Sequence, residues 1–169
     1  MTGYERHASG LWLPESAIEP AAPLGIDLFS GAGGFSCGFK QAGWHVIAAA
    51  DGWATAACTY LLNLGSPATR VHLVGDELPE GTAGERAWFR EHAGETVTAA
   101  ELFAAFDVDA APGTGWIASE PGIRPCEHYY LGDVCALTGY RILEDLELAG
   151  DDVGCVFGGP PCQGVSRAG

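Results

Sequence analysis

A chain of 169 residues, 47% of them apolar and with a mean hydropathy near zero, is long enough for one domain with a core of its own. It holds no run near the roughly 20 apolar residues that span a bilayer. A net charge of −14, with only eight lysines and arginines, argues against a piece that grips DNA phosphates by itself.

Residues 1–23 contain acids and prolines and lack the basic-then-apolar layout of a signal peptide. They are expected to form a mobile tail, with Trp12 docked on the body. Six cysteines in such a chain are expected to be reduced thiols in the cytosol, and none forms a C-x-x-C pair. Cys126, His128 and Cys135 could make part of a zinc site, but their irregular spacing favours thiols without metal.

The next segment, residues 24–30 (LGIDLFS), is a short apolar run that enters a Gly-rich turn, as a buried strand leading to a nucleotide-binding loop does. Residues 35–42 read as a helix closed by Gly43, and 45–50 as a second buried strand ending in Asp51. A helix over 53–62 follows, ended by Asn63 and Gly65.

From 66 to about 127 glycine, proline and glutamate rise and the periodicity weakens. Two helices are expected there, over 84–92 and 98–106, the second opened by Thr98 and Glu101 at capping-box spacing. This stretch reads as an insertion packed over one edge of the domain. The alternation then resumes with a strand at 129–131 ending in Gly132-Asp133, a helix over 139–148, and a buried strand over 153–157. Alternating strands and helices imply parallel pairing, hence a doubly wound α/β fold, mostly parallel and truncated at its C-terminal side.

Ligands of open α/β sheets bind at the C-terminal ends of the strands, and four features fall there. The glycines of Asp27-Leu28-Phe29-Ser30-Gly31-Ala32-Gly33-Gly34-Phe35 allow a sharp turn and close approach to a ligand. They miss the dinucleotide fingerprint, because Ser36 stands where its third Gly would fall, which counts against a nicotinamide enzyme. Asp51 can accept hydrogen bonds from ribose hydroxyls, or simply complement a helix N-terminus. Asp133 can face an adenine amine, or serve as a turn or cap. In Pro160-Pro161-Cys162-Gln163-Gly164 the prolines restrict the loop that carries Cys162. A thiolate held in that way is suited to attack an electron-poor ring carbon. No histidine lies near it in sequence, as a cysteine hydrolase would require.

The stretches DLFSGAGGFSCGF and GGPPCQGVS, with ADGWATAACTYLLN and GDV between them, resemble motifs I to IV of the DNA cytosine-5 methyltransferases, in family order. The resemblance implies a Rossmann-like fold dependent on S-adenosylmethionine. Phe29, Ser30, Gly31, Gly33 and Gly34 would form the cofactor loop, with Pro160 bordering the same pocket. Asp51 would bind the ribose, where the family usually has Glu. Gly52 stands where an apolar residue often packs on the adenine, and Trp53 would substitute. Asp133 would face the adenine amine and Cys162 would be the nucleophile. Val165 replaces the usual Phe, and the 66–127 insertion exceeds the family's usual link.

The family's ENV glutamate, arginine motif and DNA-recognition domain have no counterpart in this sequence. The chain is therefore expected to be the N-terminal part of such an enzyme, inactive alone and marginally stable because the far edge of the 153–157 strand would lack its neighbour. Double-stranded DNA would be engaged through other regions. The alternatives are an inactive truncated product, or one half of a split enzyme completed by a second polypeptide; no membrane partner is expected.

Overall fold

The computed structural model describes residues 4–6, 12–14, 22–120 and 123–160. Within the segment expected as a tail, β1 (Tyr4–Arg6) and β2 (Trp12–Pro14) pair antiparallel. The Trp12 side chain lies outside the described residues. The body runs β3 (Leu24–Leu28), α1 (Gly34–Gln41), β4 (His45–Asp51), α2 (Ala54–Leu64) and β5 (Arg70–Val74). It continues with α3 (Ala83–Glu91), β6 (Thr96–Thr98), α4 (Ala99–Ala105), β7 (His128–Gly132), α5 (Gly139–Asp145) and β8 (Val153–Gly158).

One six-stranded sheet results, in the order β6-β5-β7-β4-β3-β8, parallel throughout except for the β5–β6 pair. Its central strands are buried on both sides because successive residues serve different cores. Ala49, Val71, Leu73, Tyr129 and Leu131 face α2 and α4. Their neighbours Ala48, Ala50, Val74 and Tyr130 face Ile142 and Leu146 at α5. The core is thus sandwiched between two helical layers, as the alternation of elements predicts.

The stretch expected to lie over an edge as an insertion instead extends the sheet. Arg70–Val74 enters beside β7 in parallel register, from Arg70 opposite His128 to Val74 opposite Gly132, and β6 caps that side. The two helices expected there form, and both open on capping boxes: Thr82 with Glu85, and Thr98 with Glu101. The Glu101 carboxyl, fully exposed, is held below its ordinary pKa by the backbone and side-chain hydrogen bonds from Thr98.

β8, expected as a buried strand, is half open. Among the described residues it pairs only with β3, and Val156 is 57% exposed. A mainly apolar cavity of about 310 Å³ lies between this end of the sheet and α5, lined by Ile26, Leu28, Val134, Ile142, Val153 and Val156. The helix expected over 139–148 stops at Asp145, and Glu147 takes a left-handed conformation (φ 54°).

The single lysine of the chain is buried. Lys40, in the last turn of α1, donates through Nζ to the carbonyls of Val46 and Arg124, tying the end of the long 66–127 stretch to β4. Burial holds its ammonium below the ordinary lysine pKa.

Three histidines are also buried. His72 on β5 stacks on Tyr130 and His128 and shares a 2.9 Å Nε2···Nδ1 hydrogen bond with His128. Its Nδ1 lies 3.0 Å from the Thr96 hydroxyl and 3.6 Å from the Asp145 carboxylate, with Arg141 and Arg70 also facing it. Burial drives the His72 pKa down to about 4, and lowers those of His45 and His128. A neutral folded imidazole binds fewer protons than the unfolded chain below pH 6.5, so its contribution is complete above 6.5 and is lost as pH falls toward 4. The melting temperature is therefore expected to decline across that window. His72→Gln should flatten the decline, as thermal melts at stepped pH will check.

No helix among the described residues is long and apolar enough to cross a membrane.

Candidate functional site

The Gly-rich loop leaves β3 at its C-terminal end and reverses within a few residues. That reversal uses left-handed conformations at Phe29 (φ 59°), Gly31 (φ 51°) and Gly33 (φ 97°). Gly33 is required for a second reason: a β-carbon there would sit 2.5 Å from Leu64 and 2.9 Å from Tyr60, both on α2. The loop is seated by backbone bonds from Ser30 N to Ala50 O and from Gly33 N to Ser30 O, each 2.9 Å.

Asp51, at the end of β4, joins this loop to the next. One carboxylate oxygen accepts from Gly31 N (2.8 Å) and the other from Trp53 N (2.9 Å). The acid that the sequence offers as either ribose ligand or helix complement thus also braces the glycine loop. It stays partly exposed, and each oxygen retains acceptor capacity. Trp53 beside it is 54% exposed, with its ring available. Gly52 is pinned below: a β-carbon there would lie 3.1 Å from both Gly132 O and Pro79 Cγ.

One strand further along, Asp133 is exposed after β7, its Oδ1 accepting from Cys135 N at 2.9 Å. It borders a cavity of about 410 Å³ together with Gly75, Asp76, Glu77, Pro79 and Ala136. Sequence reasoning missed the last group's neighbours at 75–79. A signal existed: Val74-Gly75-Asp76 repeats the strand-Gly-Asp ending of Leu131-Gly132-Asp133. Backbone bonds between Glu80 and the Gly52 and Ala54 positions hold this segment against the site. Its rim is acidic, which suits a cationic ligand and repels phosphate.

β8 delivers the fourth feature. Parallel pairing sets Leu28 opposite Gly158, so the Gly-rich loop and the Gly159-Pro160 turn leave the sheet side by side. Gly159 lies against the Phe35 ring, with its β-carbon position 3.4 Å from Cε2. Pro160 is exposed at this end. Cys162 and Val165 lie outside the described residues. Phe29, Ser30, Gly31, Gly33, Gly34, Asp51, Trp53, Asp133 and Pro160 therefore gather along one edge of the sheet, at neighbouring strand ends.

The residues considered for zinc do not converge. The buried Cys126 thiol donates to the carbonyls of Ile47 and His128, and burial pushes its pKa up to about 11. His128 Nδ1 faces His72, and Cys135 is exposed beyond Asp133.

Residues 25–76, which carry the loop, Asp51 and β5, match the family model described as C-5 cytosine-specific DNA methylase. Over those residues the chain is similar to that family. Its mostly parallel six-stranded sheet flanked by helices is consistent with a Rossmann-like methyltransferase fold. Type II methyltransferase M.HgiGI of Herpetosiphon aurantiacus is 52% identical over 42 residues, 25% of this chain and 33% of that protein. M.HgiDI of the same organism is 52% identical over 42 residues, 14% of its length. M.XorII of Xanthomonas oryzae pv. oryzae is 45% identical over 60 residues, 33% of this chain and 14% of that relative. The match thus spans a third or less of each of these methyltransferases. No solved structure matches the chain.

Proposed function

We propose that this chain belongs to the cytosine-5 DNA methylases, binds S-adenosylmethionine and carries the nucleophile for methylation of cytosine C5 in DNA. The observation that carries the cofactor reading is the Gly31–Asp51 hydrogen bond, which makes the glycine loop and the acid a single wall. Glycines without a β-carbon line one side of it, partly exposed carboxylates another, and the Trp53 ring a third. These groups fit a ligand with an amino-acid end, a ribose and an adenine. Asp51 would accept from the ribose hydroxyls, Asp133 from the adenine amine, and Trp53 would cover the adenine face. Phe29, Ser30, Gly31, Gly33, Gly34 and Pro160 would border the rest.

Bound there, S-adenosylmethionine supplies an electrophilic methyl group. The chain's own part is nucleophilic. A cytosine rotated out of the duplex would meet the Cys162 thiolate, whose sulfur adds to C6 and moves the ring electrons to C5. After C5 is methylated, loss of its proton restores the 5,6 double bond and expels the thiolate. The Pro160-Pro161 pair that precedes Cys162 in the sequence would restrict how the thiolate approaches. The acidic charge of the chain favours a reading in which this stretch makes few of the phosphate contacts. Its similarity to Type II methyltransferases favours a methylase of a restriction-modification system, and the same chemistry would be carried out in the cytoplasm.

Calorimetry with S-adenosylmethionine tests the cofactor reading. Wild type is expected to bind and Asp51→Ala to bind about 10- to 100-fold more weakly, the loss of hydrogen bonds to a charged acceptor. In a preparation that methylates DNA, Cys162→Ser is expected to keep the binding and lose transfer. A folded wild-type chain without affinity overturns the cofactor reading; a Cys162→Ser variant that still methylates overturns the nucleophile.

A further inference from the structure

We infer that Tyr60 and Tyr129, two tyrosines sealed in the core, are positioning residues that hold the two ends of the Gly-rich loop. Both are 0% exposed, and their rings lie 5.2 Å apart beneath the loop. The Tyr129 hydroxyl, from β7, meets Ser30 Oγ at 3.3 Å where the loop begins. The Tyr60 hydroxyl, from α2, meets Ser36 Oγ at 2.9 Å where the loop passes into α1. Ser36 in turn donates from its hydroxyl (2.6 Å) and its amide (3.2 Å) to the same oxygen of Asp27, a carboxyl that is wholly buried on β3. With its own proton given to Asp27, the Ser36 hydroxyl accepts from Tyr60.

A core tyrosine could be phenylalanine unless its hydroxyl had a partner, because burying an unpaired hydroxyl is costly. Among the described residues, the side-chain oxygens that these two hydroxyls meet belong to the loop's flanking serines. Between those anchors the backbone follows left-handed turns at Phe29, Gly31 and Gly33, a path that rests on the Tyr60 and Leu64 side chains directly under Gly33. The phenols therefore fix both where the loop starts and where α1 picks it up. The consequence for ligand affinity rests on the reading of this loop as the S-adenosylmethionine cradle; the consequence for loop order does not.

Amide hydrogen exchange on the whole chain tests the inference. Tyr60→Phe and Tyr129→Phe are expected to speed exchange at Ser30, Gly33, Ser36 and Cys37 about tenfold, the worth of one hydrogen bond. Amides of β5 and β7 should keep their wild-type rates. Tyr130→Phe makes the same chemical change on the opposite face of β7 and should leave the loop untouched. S-adenosylmethionine affinity should fall several-fold in the first two variants and not in the third. Unchanged loop exchange, or exchange that rises equally everywhere, overturns the inference, since a purely structural phenol would act on the whole fold. A faster loop beside undiminished affinity overturns the positioning role. Faster exchange in the variants with no binding even by wild type leaves the anchors standing and rejects the cofactor reading instead.

Discussion

Gly33→Ala is expected to weaken S-adenosylmethionine binding at least about thirtyfold, the equivalent of about 2 kcal/mol. Two costs combine at this position. An alanine must enter the left-handed region, at about 1–2 kcal/mol. Its methyl must also displace Leu64 and Tyr60, which a β-carbon would approach to 2.5 and 2.9 Å, and overpacking of a filled core costs about 1–3 kcal/mol. The least costly relief is for the loop to lift away from α2, which carries Gly31 off Asp51. Gly31→Ala is the comparison. Its φ is 51° with nothing within 4 Å of a β-carbon, so only the conformational cost applies and binding should suffer much less. Calorimetry on the two variants checks the order; equal affinities would mean that α2 does not support the loop.

Gly132→Ala is expected to damage the fold itself. At φ 131° the backbone is one that side chains rarely adopt, and the added methyl would run into the Val74 carbonyl, with the Phe89 ring 2.9 Å away. The obstacle is backbone of the paired strand, Val74 opposite Gly132, so no rotamer change removes it. Strain and overpacking together come to about 3–5 kcal/mol. For a chain of this size that lowers the melting temperature by roughly 6–20 °C. Circular dichroism melts will measure it. A fall under about 3 °C would mean that β5 and β7 separate at this end without penalty, and that the Asp133 turn tolerates the separation.

Much of this architecture was legible in the residues, for local reasons. β4 and β7 are apolar runs that stop at Asp or Gly, β3 is one that enters a Gly-rich turn, and the Thr98–Glu101 cap is a four-residue pattern whose geometry follows from chemistry alone. β5 was not legible. His72 interrupts its apolar run, and the stretch around it is rich in Gly, Pro and Glu. Its imidazole is accommodated by Tyr130, His128, Thr96 and Asp145, which belong to elements the chain reaches later. β8 was legible as a strand with an open far edge, while the exposure of Val156 on its face depends on what lies beside it. At the site, Asp51 could be picked out by its place after a strand, yet its bond to Gly31 spans 20 residues. The bond from Tyr129 to Ser30 spans 99, and no spacing rule reaches that far.

The burial of Lys40 makes amine chemistry a reporter on this protein. Its ammonium is occupied by two carbonyls and 5% exposed, so the folded chain presents no lysine side chain to an acylating reagent among its surface groups. Acylation of that amine would therefore time the parting of α1 from β4 and from the irregular segment around Arg124. The label would read opening of the domain from inside, rather than mark its surface.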